Sequence, residues 1–516
     1  MSAECEEAAY GNCGPNIEGD YCLFHKPEKT KEEAKDFYRK IKKKENAKIE
    51  KKKGEEPKLI FEDSVDWKGY VFPQVPDGEE FSFKNSVFER EVFFTDAKFK
   101  RKVDFWSANF ERGAYFHKAK FDKEVNFTYA DFKGTADFSE ANFEGKAKFM
   151  LATFEELAIF PDIRMNDVAS FDYASFKREC NFFNAFFERE TLFNNVTFKG
   201  KVMFNGVSFN GLTVFSEARF EEEVSYKNSE FGKKTSFDET TFLENLLFCS
   251  AKFAEETDFT NADFRGSIDF TETVFGKKAQ FRKSKFGEET EFESSTFQKS
   301  VSFEESRFLG DASFRKITFG RTPKFVGSKF EGGLSFKHAE FNHGVEILGN
   351  PQAKPGEMFT QAKAEEEACR VQRIAYEKEG RREDADEMLV YEMRARRRQK
   401  HGLVSFTEKL IADLPCKYGT SWKRVIGSSG LLILLFSLLY WSMPQFSDLG
   451  FMTTLGNEPV NQFWDSLYYS VVNFATVDNG NFHPTGILKL LAGLEALLGA
   501  IFIALLIVVF ARKWMR

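Results

Sequence analysis

The sequence predicts a mainly β protein centred on a solenoid, followed by helices and a membrane-embedded C-terminal part. Three observations carry the solenoid. Two rows of positions, from Phe83 to Phe336 and from Phe88 to Phe341, each recur every eleven residues without insertion or deletion. Each row has 24 positions and only Tyr226 and Met165 are not Phe, so the rows hold 46 of the chain's 64 Phe residues. Such a repeat decides the architecture ahead of any local reading. Second, a small or β-branched residue stands two places before most of these positions, as Ala97, Ala108 and Ala119 do in one row and Val92, Val103 and Ala114 in the other. A spacing of two directs both side chains to one face of an extended chain. Third, an α-helix would set the two rows about 140° apart, and the intervening Thr, Asn, Asp, Gly and Val favour strands and turns. Short strands with one small and one large inward residue, joined by polar corners, make a solenoid.

Segments such as Ala119-Lys120-Phe121 and Ala130-Asp131-Phe132 resemble the small-x-large centre of the pentapeptide-repeat family, whose coils are square with four short sides. The resemblance implies a right-handed quadrilateral β-solenoid over residues 61–348, N-terminal cap included. The steps here alternate between five and six residues, which implies coils of 22 residues with every second side lengthened by one. Phe83, Phe88, Phe94 and Phe99 then lie beneath Phe105, Phe110, Phe116 and Phe121 as four internal ladders. Each buried Phe contributes on the order of 1.5–3 kcal/mol. No catalytic set is visible on this surface.

At 516 residues the chain exceeds one ordinary domain. A net charge of -7 argues against a general nucleic-acid binder, and no nucleic-acid partner is expected. The first long apolar run lies beyond residue 424, so no N-terminal signal peptide is expected. Seven scattered Cys suit a reducing compartment. Residues 1–27 gather Cys5, Cys13, Cys22 and His25, with Gly11, Gly14, Pro15 and Gly19 between them. Three thiolates and one imidazole form a common tetrahedral zinc set, and so short a segment has no core of its own. It resembles small three-Cys, one-His zinc knuckles, which implies one structural Zn2+; the alternative is three unrelated thiols and a surface His. Residues 28–60, dense in Lys and Glu, read as a charged helical spacer. From Phe61 to Phe81, with Trp67, Tyr70 and Phe72, the chain is expected to cap the first coil, because open solenoid ends expose strand edges.

After Pro351 and Pro355, residues 362–402 read as a helical hairpin broken at Gly380. The spacing of Tyr376, Gly380 and Ala385 resembles a single tetratricopeptide unit, too little for a peptide groove. Arg394, Arg396, Arg397, Arg398 and Lys400 form a basic cluster that would meet anionic lipid head groups. Residues 403–422, with Leu403, Phe406, Leu410, Ile411 and Leu414, read as an amphipathic segment on the membrane interface.

Residues 423–516 read as a two-span domain. Val425 to Met443 carries no charge and Ile487 to Phe510 carries Lys489 and Glu495 alone; each is long enough to cross a bilayer. The stretch between them, 444–486, has no Lys or Arg, whereas Lys417, Lys423, Arg424, Arg512, Lys513 and Arg516 flank the spans. The positive-inside rule then places both termini and the solenoid in the cytoplasm of a two-pass cell-membrane protein. Between the spans, residues 461–484 combine a half-length apolar helix with an extended Thr-Val stretch, the layout of a re-entrant pore loop. Trp464 to Ser470, Thr476-Val477 and Leu494 to Gly499 resemble the pore helix, filter start and inner helix of two-transmembrane potassium-channel-like pores.

That resemblance implies a selectivity filter at Thr476, Val477, Asp478, Asn479, Gly480 and Asn481, a filter-supporting Glu495, an inner-helix hinge at Gly499, and a homotetramer passing monovalent cations. The family's filters usually read Thr-Val-Gly-Tyr-Gly-Asp; here Asp478, Asn479 and Asn481 depart from it, so strict potassium selectivity is not expected. The leading function is a cation channel with a large cytoplasmic scaffold or sensor open to an unidentified protein partner. A non-conducting membrane-anchored adaptor is the alternative. A DNA-mimicking solenoid would need a free acidic surface, and an enzyme would need a nucleophile–base pair that cannot be placed among six scattered His residues.

Overall fold

Each eleven-residue step of the sequence folds into two sides of a coil, and each side is a strand of two residues. The computed structural model describes residues 8–13, 17–18, 21–44, 47–50, 58–74, 82–348, 355–442, 452–453, 463–477 and 482–514. The chain divides into two compact units, Met1–Glu367 and Ala368–Arg516.

In the first unit, strands pair in parallel with those 22 residues away, as Asn109 with Asp131 and Phe110 with Phe132, or Val103 with Val125. Among the described residues the ladders build sheets of 14, 13, 13 and 10 strands, one for each side of the coil. Backbone bonds run from coil to coil, for example Lys120 N–H to Ala97 O at 2.8 Å and Asp122 N–H to Phe99 O at 2.9 Å. The expected β-solenoid with 22-residue coils is therefore the fold.

Register dictates the core. Phe116 stacks on Phe138 with centroids 4.7 Å apart and parallel rings, close to the spacing of neighbouring strands. Across the coil the rings meet edge to face, as Phe116 and Phe127 do at 5.5 Å and 82°, the arrangement that the ring quadrupole favours. The small positions, Ala97 and Val103 among them, are buried beside the rings. Where a hydroxyl replaces the methyl it is satisfied locally: Thr240 Oγ1 donates to Phe215 O at 2.7 Å and Ser328 Oγ to Phe303 O at 2.6 Å. The corners explain the five-six alternation. At the five-residue steps a tight turn closes, with Ala97 N–H on Phe94 O at 3.0 Å, and its third residue is left-handed. Every eleventh residue from Asn85 to His338 takes this conformation, including Tyr129, Leu151 and Tyr173, with Gly at positions 206 and 327. The extra residue of the longer step sits at the other two corners.

The start of the solenoid differs from the sequence reading in two ways. Residues 58–72 do not cap the first coil; they form a further coil. Phe61 stacks on Phe88 at 4.8 Å and Phe72 on Phe99 at 4.5 Å, while Trp67 takes a ladder position against Phe94. The cap comes from the segment read as a charged spacer. Helix α1 (Lys31–Lys44) buries Ala34, Phe37, Tyr38 and Ile41, and Phe37 meets Phe72 edge to face at 5.4 Å. Four apolar residues spaced 3, 1 and 3 give a narrow stripe on a helix otherwise rich in Lys and Glu, which the composition masks. Lys48–Glu50 then pairs antiparallel with Lys58–Phe61 and covers the edge. At the other end Phe359 stacks on Phe330 at 5.3 Å.

In the second unit, helices α2 (Ala362–Lys378) and α3 (Arg382–Arg398) form the expected hairpin, reversed at Gly380 with φ +75°. Helix α4 (Gly402–Glu408), a π-helical turn at Lys409–Asp413 and helix α5 (Leu414–Cys416) follow. Leu403, Phe406, Leu410, Ile411 and Leu414 along them are exposed. The basic cluster is not a free lipid-binding patch. Arg394 and Arg397 are spent on Asp413, and Lys400 pairs with Glu408 at 2.6 Å. Three successive left-handed residues, Lys417, Tyr418 and Gly419, turn the chain into helix α6 (Trp422–Ser442). Helices α7 (Phe463–Phe474) and α8 (Ile487–Trp514) complete the unit. Trp422–Ser442 and Ile487–Arg512 are both long and apolar enough to cross a membrane.

Candidate functional site

Two groups of side chains carry chemistry. The first is N-terminal. Cys13, Cys22 and His25 bring three ligand atoms within 4.8 Å of one another, with His25 Nδ1 at 3.6 Å from Cys13 Sγ and 3.1 Å from Cys22 Sγ. Tetrahedral zinc bonds to sulfur and nitrogen would set such atoms roughly 3.5–3.8 Å apart, so the cluster fits a metal ion. The other ring nitrogen, Nε2, lies 3.2 Å from Lys68 O. A carbonyl only accepts, so Nε2 donates and Nδ1 presents its lone pair to the thiols, the second-shell bond that orients metal-binding imidazoles. Tyr10 stacks on the ring and Tyr70 meets it edge-on. The cluster forms because the turn after Tyr21–Cys22 folds back, with His25 N–H and Lys26 N–H both on Cys22 O. Cys5, expected as fourth ligand, lies outside the described residues.

The second group lies between the two long helices. Helix α7 has 12 residues, about 18 Å, which is too short to span a bilayer. It is wedged between α6 and α8 by one buried carboxylate. Glu495, on α8, accepts from Tyr440 OH at 2.7 Å, from Asn473 Nδ2 at 2.8 Å and from the Ser470 hydroxyl. Tyr440 belongs to α6, Ser470 and Asn473 to α7, so one side chain joins three helices. Asn473 Nδ2 also reaches Ala492 O at 2.9 Å. Below this network Gly499 meets the end of α7 so closely that a Cβ would lie 1.9 Å from Phe474 O. Helix α8 is unbroken through Gly499, so close approach, not a bend, is what calls for glycine at this position.

Helix α7 ends in an irregular turn. Thr476 is left-handed at φ 55°, unusual for a β-branched residue, and Val477 is 61% exposed. Asp478, Asn479, Gly480 and Asn481 lie outside the described residues. Beyond them Phe482 packs on Tyr468 and Tyr469, and His483–Pro484 pairs antiparallel with Met452–Thr453. The side of α7 bearing Trp464, Tyr468 and Val471 is exposed, as are Leu490, Leu494, Leu497 and Ile501 on α8.

Comparison with known families accounts for both parts of the molecule. A family model described as pentapeptide repeats (9 copies) matches overlapping segments from 83–131 and 105–150 through 193–241 to 303–347. A model described as ion channel matches residues 430–516. The chain joins pentapeptide repeats to an ion-channel domain. No curated protein and no solved structure matches it. With two membrane-capable helices in or beside the ion-channel domain, it is a membrane protein. Sequence reasoning found Glu495 and Gly499 in this domain by resemblance alone. It missed Tyr440, Ser470 and Asn473, which in a linear reading are ordinary polar residues of apolar helices. It also missed the Lys68 carbonyl behind His25, since a backbone acceptor has no sequence signal.

Proposed function

We propose that four copies of the chain assemble a cation channel whose pore is lined by the loop following α7. One observation carries this reading: a half-length helix is held between two spans by the Glu495 network, so the Thr476-Val477 backbone follows directly from a braced element. Irregular backbone at membrane depth is tolerated where it lines a water-filled pore, and carbonyl rings need several copies to close around an ion. The exposed aromatic face of α7, Trp464, Tyr468 and Val471, supplies a surface for the neighbouring copy. Thr476 to Asn481 form the filter and Glu495 supports it from behind. Asp478 in place of the family's first filter glycine points to cation conduction with weak potassium-over-sodium discrimination. The Lys and Arg flanking the two spans put the termini and the solenoid in the cytoplasm, and Leu403 to Leu414 lie on the lipid interface. The solenoid serves as scaffold or sensor.

Reconstitution in planar bilayers with sodium-potassium substitution tests the channel. Expected are cation currents with a permeability ratio of order one, from a tetramer in mild detergent; a monomer, or strict potassium selectivity, would count against it. The second reading, a non-conducting anchored adaptor, draws on the same departures at Asp478 and Asn479, and is the outcome if a proven tetramer passes no current. For the N-terminal cluster, zinc held by Cys13, Cys22 and His25, with Cys5 as fourth ligand, would staple the first residues to the solenoid through Lys68. Metal analysis should find about one ion per chain, lost in Cys22→Ser; none in freshly purified protein would rule it out.

A further inference from the structure

Helix α3 touches the ion-channel domain at two points, and the two contacts differ in kind. Toward its C-terminal end, Arg394 grips Asp413 with two parallel bonds, Nε to Oδ2 at 3.0 Å and Nη2 to Oδ1 at 2.8 Å, and Arg397 Nη1 adds a third at 2.7 Å. The Asp413 side chain is only 7% exposed. Arg397 also donates to Tyr418 OH at 3.1 Å, fixing the left-handed turn that leads into α6. In the first turns of α3, Asp386 pairs with Arg512 in the last turn of α8 at 2.5 Å, and here both side chains are about one-third exposed. Asp386 and Arg397 are about 16 Å apart along the helix. Arg373 on α2 braces the strut by binding Glu392 at 2.8 Å.

We propose that α3 is a clamp on the ion-channel domain, anchored at Asp413 and releasable at Asp386–Arg512, and that release changes conduction. The proposal rests on the channel reading. A bidentate, desolvated pair persists, whereas a half-exposed pair is weak, screened by salt and readily exchanged. The end that can let go is the one that holds α8. That helix is continuous from Ile487 to Trp514, and at Gly499 it touches the carbonyl of Phe474, two residues before Thr476. A displacement of its last turn therefore bears on the start of the pore loop. The entry to α6 lies on the same side, Trp422 packing on Phe510 at 5.6 Å. Between α3 and α6 the chain carries the π-helical turn and three left-handed residues. Such irregular backbone stores strain and accommodates movement.

The test uses the full chain in planar bilayers. Arg512→Ala and Asp386→Asn should shift open probability in the same direction, about two- to five-fold, the range set by a half-exposed ion pair. The exchanged pair Asp386→Arg with Arg512→Asp should restore the wild-type value. High salt should move wild type toward the single variants and leave Arg512→Ala unmoved. In parallel, Asp386→Cys with Arg512→Cys should crosslink in membranes, a readout independent of current. Wild-type currents that neither single variant alters, or that the exchanged pair fails to restore, overturn the clamp and leave the channel. A wild type that passes no current overturns the channel reading and the clamp's role in conduction together.

Discussion

The solenoid and the ion-channel domain solve burial differently within one chain. In the solenoid every ladder Phe finds its partners 22 residues before and after it, and rings from Phe94 to Phe325 are buried without help from any other molecule. In the ion-channel domain Leu431, Leu434, Leu490 and Leu497 are exposed, and so is the face of α7 carrying Trp464 and Tyr468. Its interior is instead organised by a polar network around Glu495. Stacked repeats complete their own core, because each coil is the template for the next. A pore domain leaves its apolar faces to lipid and to further copies, so its internal order depends on a few hydrogen bonds that hydrocarbon makes costly to lose.

The sharpest way to break this comparison is Phe204→Asp. Phe204 lies between Phe182 and Tyr226 in its stack, and a carboxylate there has no partner. A loss of at least about 4 kcal/mol and new protease sites near residues 182–226 are expected. Unchanged proteolysis would contradict the ladder. The counterpart in the ion-channel domain is Glu495→Ala, which removes the common acceptor of Tyr440, Asn473 and Ser470. About 3 kcal/mol should be lost from that domain, together with conduction, while the solenoid's melting is unchanged; coupled melting of both would blur the distinction.

A third test concerns acid. Burial alone would raise the Asp413 carboxyl, yet Arg394 and Arg397 hold it below the usual carboxylate range. A group depressed in the folded state stabilises above its unfolded value, near 4, and loses that contribution as pH falls through the folded value. Acidification below about pH 4 should therefore destabilise the hairpin of wild type, and Asp413→Asn should start lower and lack this component. A thermal melt of each variant against pH separates the two. The smallest effect belongs to Tyr226→Phe. Its ring stacks like any other, but its buried hydroxyl has no hydrogen-bond partner among the described residues. Removing it should leave stability equal or up to about 1 kcal/mol higher; a clear loss would mean that the hydroxyl is satisfied inside the solenoid.

How much was legible follows the same division. The period of the Phe rows carried register, coil size and core, because one error in such a pattern would turn every later side chain outward. The start of the solenoid was less legible. Residues 58–72 obey the coil geometry, but they stand apart from the next coil by 75–81, so the eleven-residue period does not reach them. The stripe of Phe37, Tyr38 and Ile41 on α1 was hidden among lysines. Left-handed turns at Tyr129, Leu151 and Tyr173 have no turn-forming residue to announce them; the coils on either side impose the conformation. Resemblance located Glu495, but only the packing of α6, α7 and α8 revealed its three donors.

By itself, then, the sequence determined the repeat and its ladders, the two membrane-capable segments, the half-length helix between them and the gathering of Cys and His at the N-terminus. Each of these depends on spacing along the chain, which hydrophobic periodicity and length record directly. Only the tertiary structure decided which charges are spent internally: Arg394 and Arg397 on Asp413, and Arg512 on Asp386. It also decided which nitrogen of His25 faces the thiols and why position 499 is glycine. These are matters of a few ångströms between residues 16 to 126 places apart. Composition and period carry no trace of such distances.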